Sequence, residues 1–337
     1  MNKSAQKSVL VECIPNFSEG RDVKVIENIA DAIRSVAGVQ LLHTDSGAAA
    51  NRTVMTFVGT PTAVVEAAFK GIQIASEQID MRQQKGEHPR IGATDVCPLV
   101  PIRGITLQEL LPYAKQLARR VASELDIPVY CYEASAKAAY RRNLAAIRKG
   151  EYEGLAAKMQ QDRWGPDFGQ DFNAKSGATV IGARPFLIAY NLNLDTKSLE
   201  LAQEIAQGIR TSGKWVVDNG KKVRIAGSCP ALKAIAWYIA EYDKVQISMN
   251  LTDFQRTGMH QAFEACKVAA SKRDIRITGS ELIGLVPLAA ILEAGRFYAP
   301  TQTAEQNLIE AAIQHLGLNE IQAFDPNQRI IEYCLQL

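Results

Sequence analysis

Residues 39–59 read VQLLHTDSGAAANRTVMTFVG, and this stretch decides the predicted fold. Its two halves, VQLLHTDS and NRTVMTFVG, predict two strands with a short glycine-alanine turn between them. The amphipathic helix pattern VIENIADAIRSVAG precedes the pair and ends at Gly38. A second helix pattern follows the pair, with Pro61 in its first turn, where proline is favoured. Two strands between two helices are typical of the β-α-β-β-α-β arrangement.

The flanking sequence completes this arrangement and then repeats it. SVLVECIP and ATDVCPLVPI predict the outer strands, and Thr106 and Glu109 form a capping box before a further helix, which the strand pattern IPVYCYE follows. The second half has the same order in PFLIAYNLNL, TKSLELAQEIAQGIRTSG, ALKAIAWYIA, KVQISMNLTD, RTGMHQAFEACKVAASKR and IRITGSELIGLVP. We therefore predict an α/β fold of the α+β type, with two lobes at 1–186 and 187–337.

The segment between Lys137 and Gly177 belongs to neither repeat. It is rich in charged and aromatic residues, and its last part contains Gly165, Pro166 and Gly169, which predict an irregular conformation. Long irregular segments in compact proteins are often binding loops, so we expect this one to contact a ligand.

The composition excludes several classes of partner. The formal net charge of 337 residues is only +2, which argues against nucleic acid or an anionic membrane as the main partner. The six cysteines show neither C-x-x-C pairs nor zinc-ligand spacing, so we predict no metal site and a reduced, cytoplasmic protein. The longest apolar run, Leu282 to Leu292, is too short to span a bilayer, and the N-terminus lacks the apolar core of a signal peptide.

His88 is the leading candidate for a catalytic group. It lies in the loop KGEHPRIG, where Pro89 favours an extended conformation and where Gly86 and Gly92 allow sharp turns. The loop leads directly into a predicted strand, and a histidine on a loop over a rigid scaffold is well placed for chemistry. The alternative is a loop histidine without a catalytic role. The other histidines are more typical of half-buried or surface positions: His43, His260 and His315.

Five further polar residues are candidates for the same site. Asp45 ends a predicted strand, where a carboxylate can orient an imidazole, or can instead bond its own turn. The guanidinium group of arginine binds carboxylates in a bidentate manner. Arg52, Arg90 and Arg184 are therefore candidates for binding the carboxylates of a substrate, with ordinary ion pairs as the alternative. Asn16 follows a strand and either hydrogen-bonds a substrate or makes a turn.

Several long strings resemble the glutamate formimidoyltransferase family, including the transferase half of the bifunctional formimidoyltransferase-cyclodeaminases. They are VECIPNFSEGRD, NRTVMTFVG, IDMRQQKGEHPRIGATDVCPLVPI, WGPDFGQDF, ARPFLIAYNLNL and GSELIGLVPL, in the same order as in that family. The resemblance covers the chain from about Val9 to Tyr333. It departs from the family at Gln84, where some relatives carry a second histidine, and within the loop sequence QDFNAKS.

The resemblance implies a function and a set of site residues. Members of the family transfer a formimino group from N-formimidoylglutamate to tetrahydrofolate, their co-substrate, in histidine breakdown. Their fold has two α/β subdomains with folate in the cleft between them, and it forms homodimers. The family's catalytic histidine corresponds to His88 and its supporting aspartate to Asp45. The family's folate-contacting loop corresponds to Gly169, Gln170, Asp171, Phe172, Asn173, Ala174, Lys175, Ser176 and Gly177. Because this chain ends at Leu337, we expect a separate cyclodeaminase for the next step.

The chemistry of this reaction suits these residues. A proton leaves the attacking folate nitrogen and another reaches the departing glutamate nitrogen, and a single histidine with a pKa near 7 can serve both steps. Asp45 would fix the tautomer and favour the imidazolium. Aromatic side chains of the loop would offer apolar surface to the pterin or else pack the loop: Trp164, Phe168 and Phe172.

Three alternatives stay open at this stage. The first is transfer of a formyl group between folate and glutamate at the same site. The formyl group differs from the formimino group only in having an oxygen in place of one nitrogen. The second is a folate-binding protein without catalysis, for which loss of the residues at 88 and 45 is expected. A structural partner of a separate cyclodeaminase is a third possibility.

Overall fold

The computed structural model describes residues 9–218, 220–240 and 243–335. The chain divides into two compact units, Met1–Pro185 and Phe186–Leu337, each with its own hydrophobic core. We describe each unit by itself. Among the described residues, no helix is both long enough and apolar enough to cross a membrane.

The first unit is a seven-stranded sheet with helices on both faces. Its strands are β1 (Leu10–Cys13), β2 (Asn16–Phe17), β3 (Val39–Gly47), β4 (Arg52–Gly59), β5 (Thr94–Arg103), β6 (Val129–Cys131) and β7 (Thr179–Ala183). Its helices are α1 (Val23–Arg34), α2 (Pro61–Gln78), α3 (Leu107–Leu125), α4 (Leu144–Arg148) and α5 (Glu151–Met159). The capping box of Thr106 and Glu109 begins α3, as the sequence predicts.

The strands lie in the order β3, β4, β1 with β2, β5, β7, β6. The pairs from β3 to β5 are antiparallel, whereas β5, β7 and β6 are parallel. The predicted β-α-β-β-α-β order is therefore confirmed, and β7 with β6 extends the sheet beyond it. The sequence analysis missed β7, because five residues of a buried parallel strand carry no alternation of apolar and polar residues.

One row of residues crosses the whole sheet and defines the face that carries the site. Residues directly opposite each other in neighbouring strands point to the same face. The row runs through Asp45, Val54, Asn16, Val96, Val180 and Tyr130. Its last three members pack under α4 and α5 in a core of their own. The alternate residues, such as Met55 and Phe57, face α1, α2 and α3 on the other side.

The segment that belongs to neither predicted repeat is only partly irregular. Residues 144–159 form α4 and α5, which the sequence analysis did not predict, and the irregular part begins after Met159, as expected. Both helices are short, and their periodicity is correspondingly weak. Their buried residues Ile147 and Leu155 pack on the sheet, so tertiary burial stabilises them.

The second unit repeats the split β-α-β-β-α-β arrangement. Its strands are β8 (Ile188–Leu194), β9 (Lys214–Asp218), β10 (Lys221–Ile225), β11 (Leu232–Ile239), β12 (Lys244–Leu251) and β13 (Ile277–Ile283). Its helices are α6 (Leu199–Ile209), α7 (Met259–Ser271), α8 (Leu288–Tyr298), α9 (Glu305–Leu316), α10 (Pro326–Arg329) and α11 (Ile331–Cys334). The four-stranded sheet has the order β11, β12, β8, β13, and all pairs are antiparallel. The hairpin of β9 and β10 forms a separate two-stranded sheet, which the sequence analysis missed together with the four C-terminal helices.

Candidate active site

The loop that carries His88 is held by the turn between β3 and β4. The Nδ2 of Asn51 donates to the carbonyl of Lys85 at 2.9 Å, and the Nε2 of Gln84 donates to the carbonyl of Asn51 at 3.0 Å. A Cβ atom at Gly86 would lie 2.2 Å from the carbonyl oxygen of Ala50. Only glycine therefore lets the loop approach the turn this closely, and the approach fixes the position of His88 over the sheet.

His88 meets an arginine and a backbone carbonyl. The Nη1 of Arg52 lies 2.6 Å from Nε2 and 2.5 Å from Nδ1 of the ring, and Nδ1 lies 2.8 Å from the carbonyl oxygen of Pro89. A carbonyl only accepts and a guanidinium only donates. The consistent arrangement is a neutral ring whose Nδ1–H donates to Pro89 and whose Nε2 accepts from Arg52. The backbone thus sets the tautomer.

The pKa of His88 is well below its ordinary value. Burial is the largest cause, and the positive charges of Arg52 and Arg148 add to it, against a small opposing effect of the Pro89 carbonyl. The surroundings of His88 therefore hold its pKa below the expected value near 7. The physical reason is that two cations and a dry environment penalise the imidazolium. The ring is therefore neutral at pH 7, and Nε2 carries a lone pair that can accept a proton.

Arg52 begins β4 and is half-buried. Burial, followed by the charge of Arg148, lowers the pKa of Arg52 to about 9, so the guanidinium is still charged at neutral pH. Within the part of the chain that the structure describes, its side chain donates only to His88 and has no carboxylate within ion-pair distance. A half-buried guanidinium that pairs with no carboxylate can bind one from a substrate, because its two parallel N–H groups match the two carboxylate oxygens.

Arg148 and Asp95 form the second half of this cationic environment. Arg148, at the end of α4, binds the buried carboxylate of Asp95 through Nε at 3.2 Å and through Nη2. Asp95 also accepts from the amide of Ile91, just after the His88 loop. The ion pair ties α4 to the start of β5 and holds the second cation near His88. The sequence analysis missed both residues, since no local pattern connects positions 95 and 148.

Asp45 and Asn16 share the face of the sheet that carries the site. Asp45 lies opposite Val54, and Arg52 is two residues along β4 on the same face. The Oδ2 of Asp45 lies 3.9 Å from Nε2 of His43. Asn16 is two strands from Asp45 in the same row and donates to the carbonyl of Ile14 at 2.8 Å. Support of His88 by Asp45 and substrate contact by Asn16 stay predictions.

Arg90 and Arg184 differ from Arg52 in their surroundings. Arg90 is buried and donates to Glu151, Glu153 and Gln84, with all its N–H groups engaged. These contacts fit the ordinary ion-pair alternative and hold α5 against the loop.

Arg184 follows β7 and donates to the Pro185 carbonyl. Its own amide donates to Leu99. Leu99 is three residues along β5 from the row through Asn16, a separation of about 10 Å. The structure therefore does not place Arg184 beside His88 through these contacts.

The loop 169–177 lies against the His88 loop. The amide of Met81 donates to the Lys175 carbonyl and that of Ala93 to the Ser176 carbonyl, both at 2.8 Å. The side chain of Asn173 caps the turn by accepting from the amides of Lys175 and Ser176. The residues before these anchors are exposed, from Gly169 to Phe172. The loop is thus anchored in its last part, and its first part is exposed to solvent.

The three aromatic residues of this region have different roles. Trp164 packs on the core under α4 and α5, and its carbonyl accepts from Tyr130. Phe168 packs on the core on the other side of the sheet. Both fit the packing alternative. Phe172 is exposed and lies 6.0 Å from the ring of Tyr152, so it alone of the three offers an open apolar face.

This arrangement combines a neutral base with a cation that no carboxylate of the described chain neutralises. The Nε2 of His88 can take a proton, while Arg52 can bind a carboxylate a few ångströms away. Residues 9–218, 220–240 and 243–335 contain no group of three or more metal-binding side chains. His88 and Arg52 together can carry out acid-base transfer beside a bound anion.

Two protein-family models match the chain: the formiminotransferase domain, N-terminal subdomain, over residues 10–184, and the formiminotransferase domain over residues 189–336. A formimidoyltransferase-cyclodeaminase of Dictyostelium discoideum is 44% identical, over 97% of this chain and 60% of that protein. A glutamate formimidoyltransferase of Streptococcus pyogenes serotype M1 is 42% identical, over 86% of this chain and 93% of that protein. A glutamate formimidoyltransferase of Thermoplasma acidophilum is 39% identical, over 90% of this chain and 97% of that protein. The chain thus spans only 60% of the length of the bifunctional relative.

Proposed function

The chain belongs to the formiminotransferase domain family, and we propose on that basis that it transfers the formimino group of N-formimidoyl-L-glutamate to tetrahydrofolate. The products are 5-formimidoyltetrahydrofolate and L-glutamate. Two relatives named glutamate formimidoyltransferase, which the chain covers almost completely, support this proposal. Residues 1–186 and 187–337 would be the two subdomains of one transferase.

One observation carries the proposal: the half-buried guanidinium of Arg52 has no carboxylate within ion-pair distance among the described residues and touches a neutral imidazole. N-formimidoylglutamate brings two carboxylates and an amidine carbon on the same small molecule. A carboxylate on Arg52 would place the amidine near His88, and such positioning can lower a barrier by several kcal/mol. Arg148, with its charge partly offset by Asp95, adds to the attraction for the two carboxylates.

The reaction needs one proton acceptor that becomes a donor. The secondary amine N5 of tetrahydrofolate attacks the amidine carbon, a C–N bond forms, and the N5 proton moves to Nε2 of His88. His88 then returns this proton to the glutamate nitrogen, the bond from carbon to that nitrogen breaks, and glutamate leaves as an amine. Protons and atoms balance without a covalent enzyme intermediate.

Binding of the substrate carboxylate would itself raise the pKa of His88. The free site lowers the pKa of His88, partly through the charge of Arg52. A carboxylate on Arg52 would offset that charge, and the pKa of His88 would rise towards the range that suits both proton transfers. The low pKa in the free site and the need for a pKa near 7 are then compatible.

The other predicted residues take supporting roles in this proposal. Asp45 orients His88 or its substrate from the same face of the sheet, and the exposed first part of loop 169–177, with Phe172, contacts the folate. Asn16 and Arg184 contact substrate from β2 and from the end of β7. We also propose a cytoplasmic homodimer that acts on its small-molecule substrates.

The absorbance spectrum of tetrahydrofolate incubated with N-formimidoylglutamate and pure protein tests the proposal. We expect conversion to 5-formimidoyltetrahydrofolate with wild type, and conversion slower by roughly 10²–10⁴-fold with His88→Ala. A parallel incubation with N-formylglutamate separates the formyl alternative. If tetrahydrofolate binds but neither donor gives a product, the protein is a folate-binding protein and the proposed activity is wrong.

A further inference from the structure

The hairpin of β9 and β10 presents apolar side chains to solvent. Trp215 is 67% exposed and Val217 is 71% exposed, and Val223 and Ile225 on β10 are also exposed. The hairpin pairs with no other strand of the described residues and forms a sheet of two strands only. Two-stranded sheets are marginally stable in water by themselves, and an apolar edge strand is a template for a further strand.

The sequence of β9 is complementary to itself when it is reversed. The strand reads KWVVD from Lys214 to Asp218, with a cation at one end, an acid at the other and three apolar residues between them. If two copies pair antiparallel about Val216, Lys214 faces Asp218 of the partner subunit at both ends. Trp215 then faces the partner's Val217, and the two Val216 residues face each other. Each of these cross-strand pairs is a favourable one.

The other edge of the hairpin does not have this property. The strand β10 reads KKVRI from Lys221 to Ile225. Antiparallel pairing about Val223 would place Lys222 opposite Arg224 of the partner subunit at two positions, and like charges directly opposite each other are destabilising. Charge therefore selects β9 over β10 as the edge that meets a second copy.

We propose that β9 pairs with β9 of a second copy of this chain about a two-fold axis at Val216, so that two hairpins form a four-stranded sheet. This assigns an interface to the homodimer proposed above but is independent of the transfer reaction, so the two can fail separately. Two five-residue strands bury less than the roughly 1,200 Å² of a standard interface. We therefore expect a weak dimer, with a Kd of about 1–100 µM if this contact acts alone.

Site-directed disulfide formation tests the register. Directly opposed residues lie about 4.5–5.5 Å apart between Cα atoms, within the range that a disulfide spans. After mild oxidation of the full chain, we expect a covalent dimer of Val216→Cys, and none of the matched variant Val223→Cys or of wild type. Preferential cross-linking of Val223→Cys, or no cross-linking of Val216→Cys at concentrations where the protein is dimeric, would overturn the proposal.

A charge swap tests the same interface without a covalent bond. Lys214→Asp and Asp218→Lys each place like charges opposite each other at both ends, and we expect each to raise the dimer Kd at least about tenfold. The double variant restores both opposite-charge pairs and should return the Kd to within about threefold of wild type. Sedimentation velocity measures all four proteins. A protein that is monomeric up to about 200 µM, or a dimer insensitive to all three variants, contradicts the proposed interface.

Discussion

At the scale of single residues, the state of His88 is the central feature. Its Nδ1–H is held by the Pro89 carbonyl, and its Nε2 faces Arg52. The loop glycines place it, and burial keeps it neutral. These observations separate two expectations for its removal: a loss of turnover if it moves protons, and a loss of stability alone if it only packs the loop.

His88→Ala should lower kcat by roughly 10²–10⁴-fold, the usual contribution of a positioned acid-base group. Tetrahydrofolate affinity should change little, because the imidazole meets the reacting atoms. Asp45→Asn should lower kcat by less than His88→Ala does. If the two residues act as one unit, the loss of kcat in the variant with both substitutions should be far smaller than the product of the two single losses.

Turnover per folded active site is the measurement, with the exposed histidine variant His315→Ala as the control. A His88→Ala protein within a few-fold of wild type would assign His88 to packing.

Arg52→Gln should raise KM for N-formimidoylglutamate by about tenfold to a hundredfold, because a charge-assisted pair with a carboxylate is lost. It should also raise the pKa of His88, since a nearby positive charge is removed. The base is then protonated at higher pH, so the acidic limb of kcat/KM moves to higher pH.

Arg90→Gln is the matched control for Arg52→Gln, because all N–H groups of Arg90 already bind protein acceptors. The KM of the Arg90→Gln enzyme for N-formimidoylglutamate, measured on folded protein, should stay near that of wild type. An Arg52→Gln enzyme with unchanged KM and an unchanged acidic limb would place the carboxylate elsewhere.

At the scale of structural elements, the site depends on how closely a loop and a turn approach each other. Gly86 lies against the Ala50 carbonyl, whereas a methyl group added at Gly154 in α5 would meet no neighbouring atom within 4 Å. The same chemical change at these two positions therefore has opposite expected effects.

Gly86→Ala should destabilise the protein by about 1–3 kcal/mol through overpacking and lower kcat on the order of 10²-fold through displacement of His88. Gly154→Ala should stabilise it by about 0.5–1 kcal/mol, the gain for alanine over glycine in a helix, with unchanged kcat. Urea unfolding and turnover measure both. Full activity of Gly86→Ala would show that the loop position does not matter for catalysis.

At the scale of the whole molecule, two histidines with lowered pKa link stability to pH. Burial is the main cause for both His88 in the first unit and His260 in the second, with Glu293 and Glu264 opposing it for His260. In the unfolded chain both titrate near 6.5. Below that pH the unfolded state binds more protons than the folded state, so stability is lost as pH falls and is fully present above it.

The free energy of unfolding should therefore fall below about pH 6.5, by up to about 1.4 kcal/mol per pH unit for each histidine until its folded pKa is reached. His88→Gln and His260→Gln should each flatten this dependence, and the double variant should flatten it most. Urea titrations between about pH 5 and pH 7.5 measure it. Parallel pH curves for wild type and the double variant would assign the acid sensitivity to other groups.

The sequence by itself determined the repeated order of strands and helices. Apolar periodicity, the Thr106 and Glu109 capping box and the glycines around His88 are local patterns, and their consequences are local too. They predicted the four β-α-β-β-α-β strands of each unit and the loop that presents the candidate base. The resemblance of long strings to one family added the reaction.

Only the tertiary structure decided which charged side chains meet. From the sequence, Arg52, Arg90 and Arg184 were equivalent candidates for binding a substrate carboxylate. In the folded chain Arg90 forms ion pairs with two glutamates, whereas Arg52 lies beside His88. Likewise, no pattern in the chain joins Asp95 to Arg148, 53 residues apart. Whether a charge is paired, buried or open depends on strand register and on which helix covers a sheet face. Those are set by contacts between distant residues, and so is the pKa of His88.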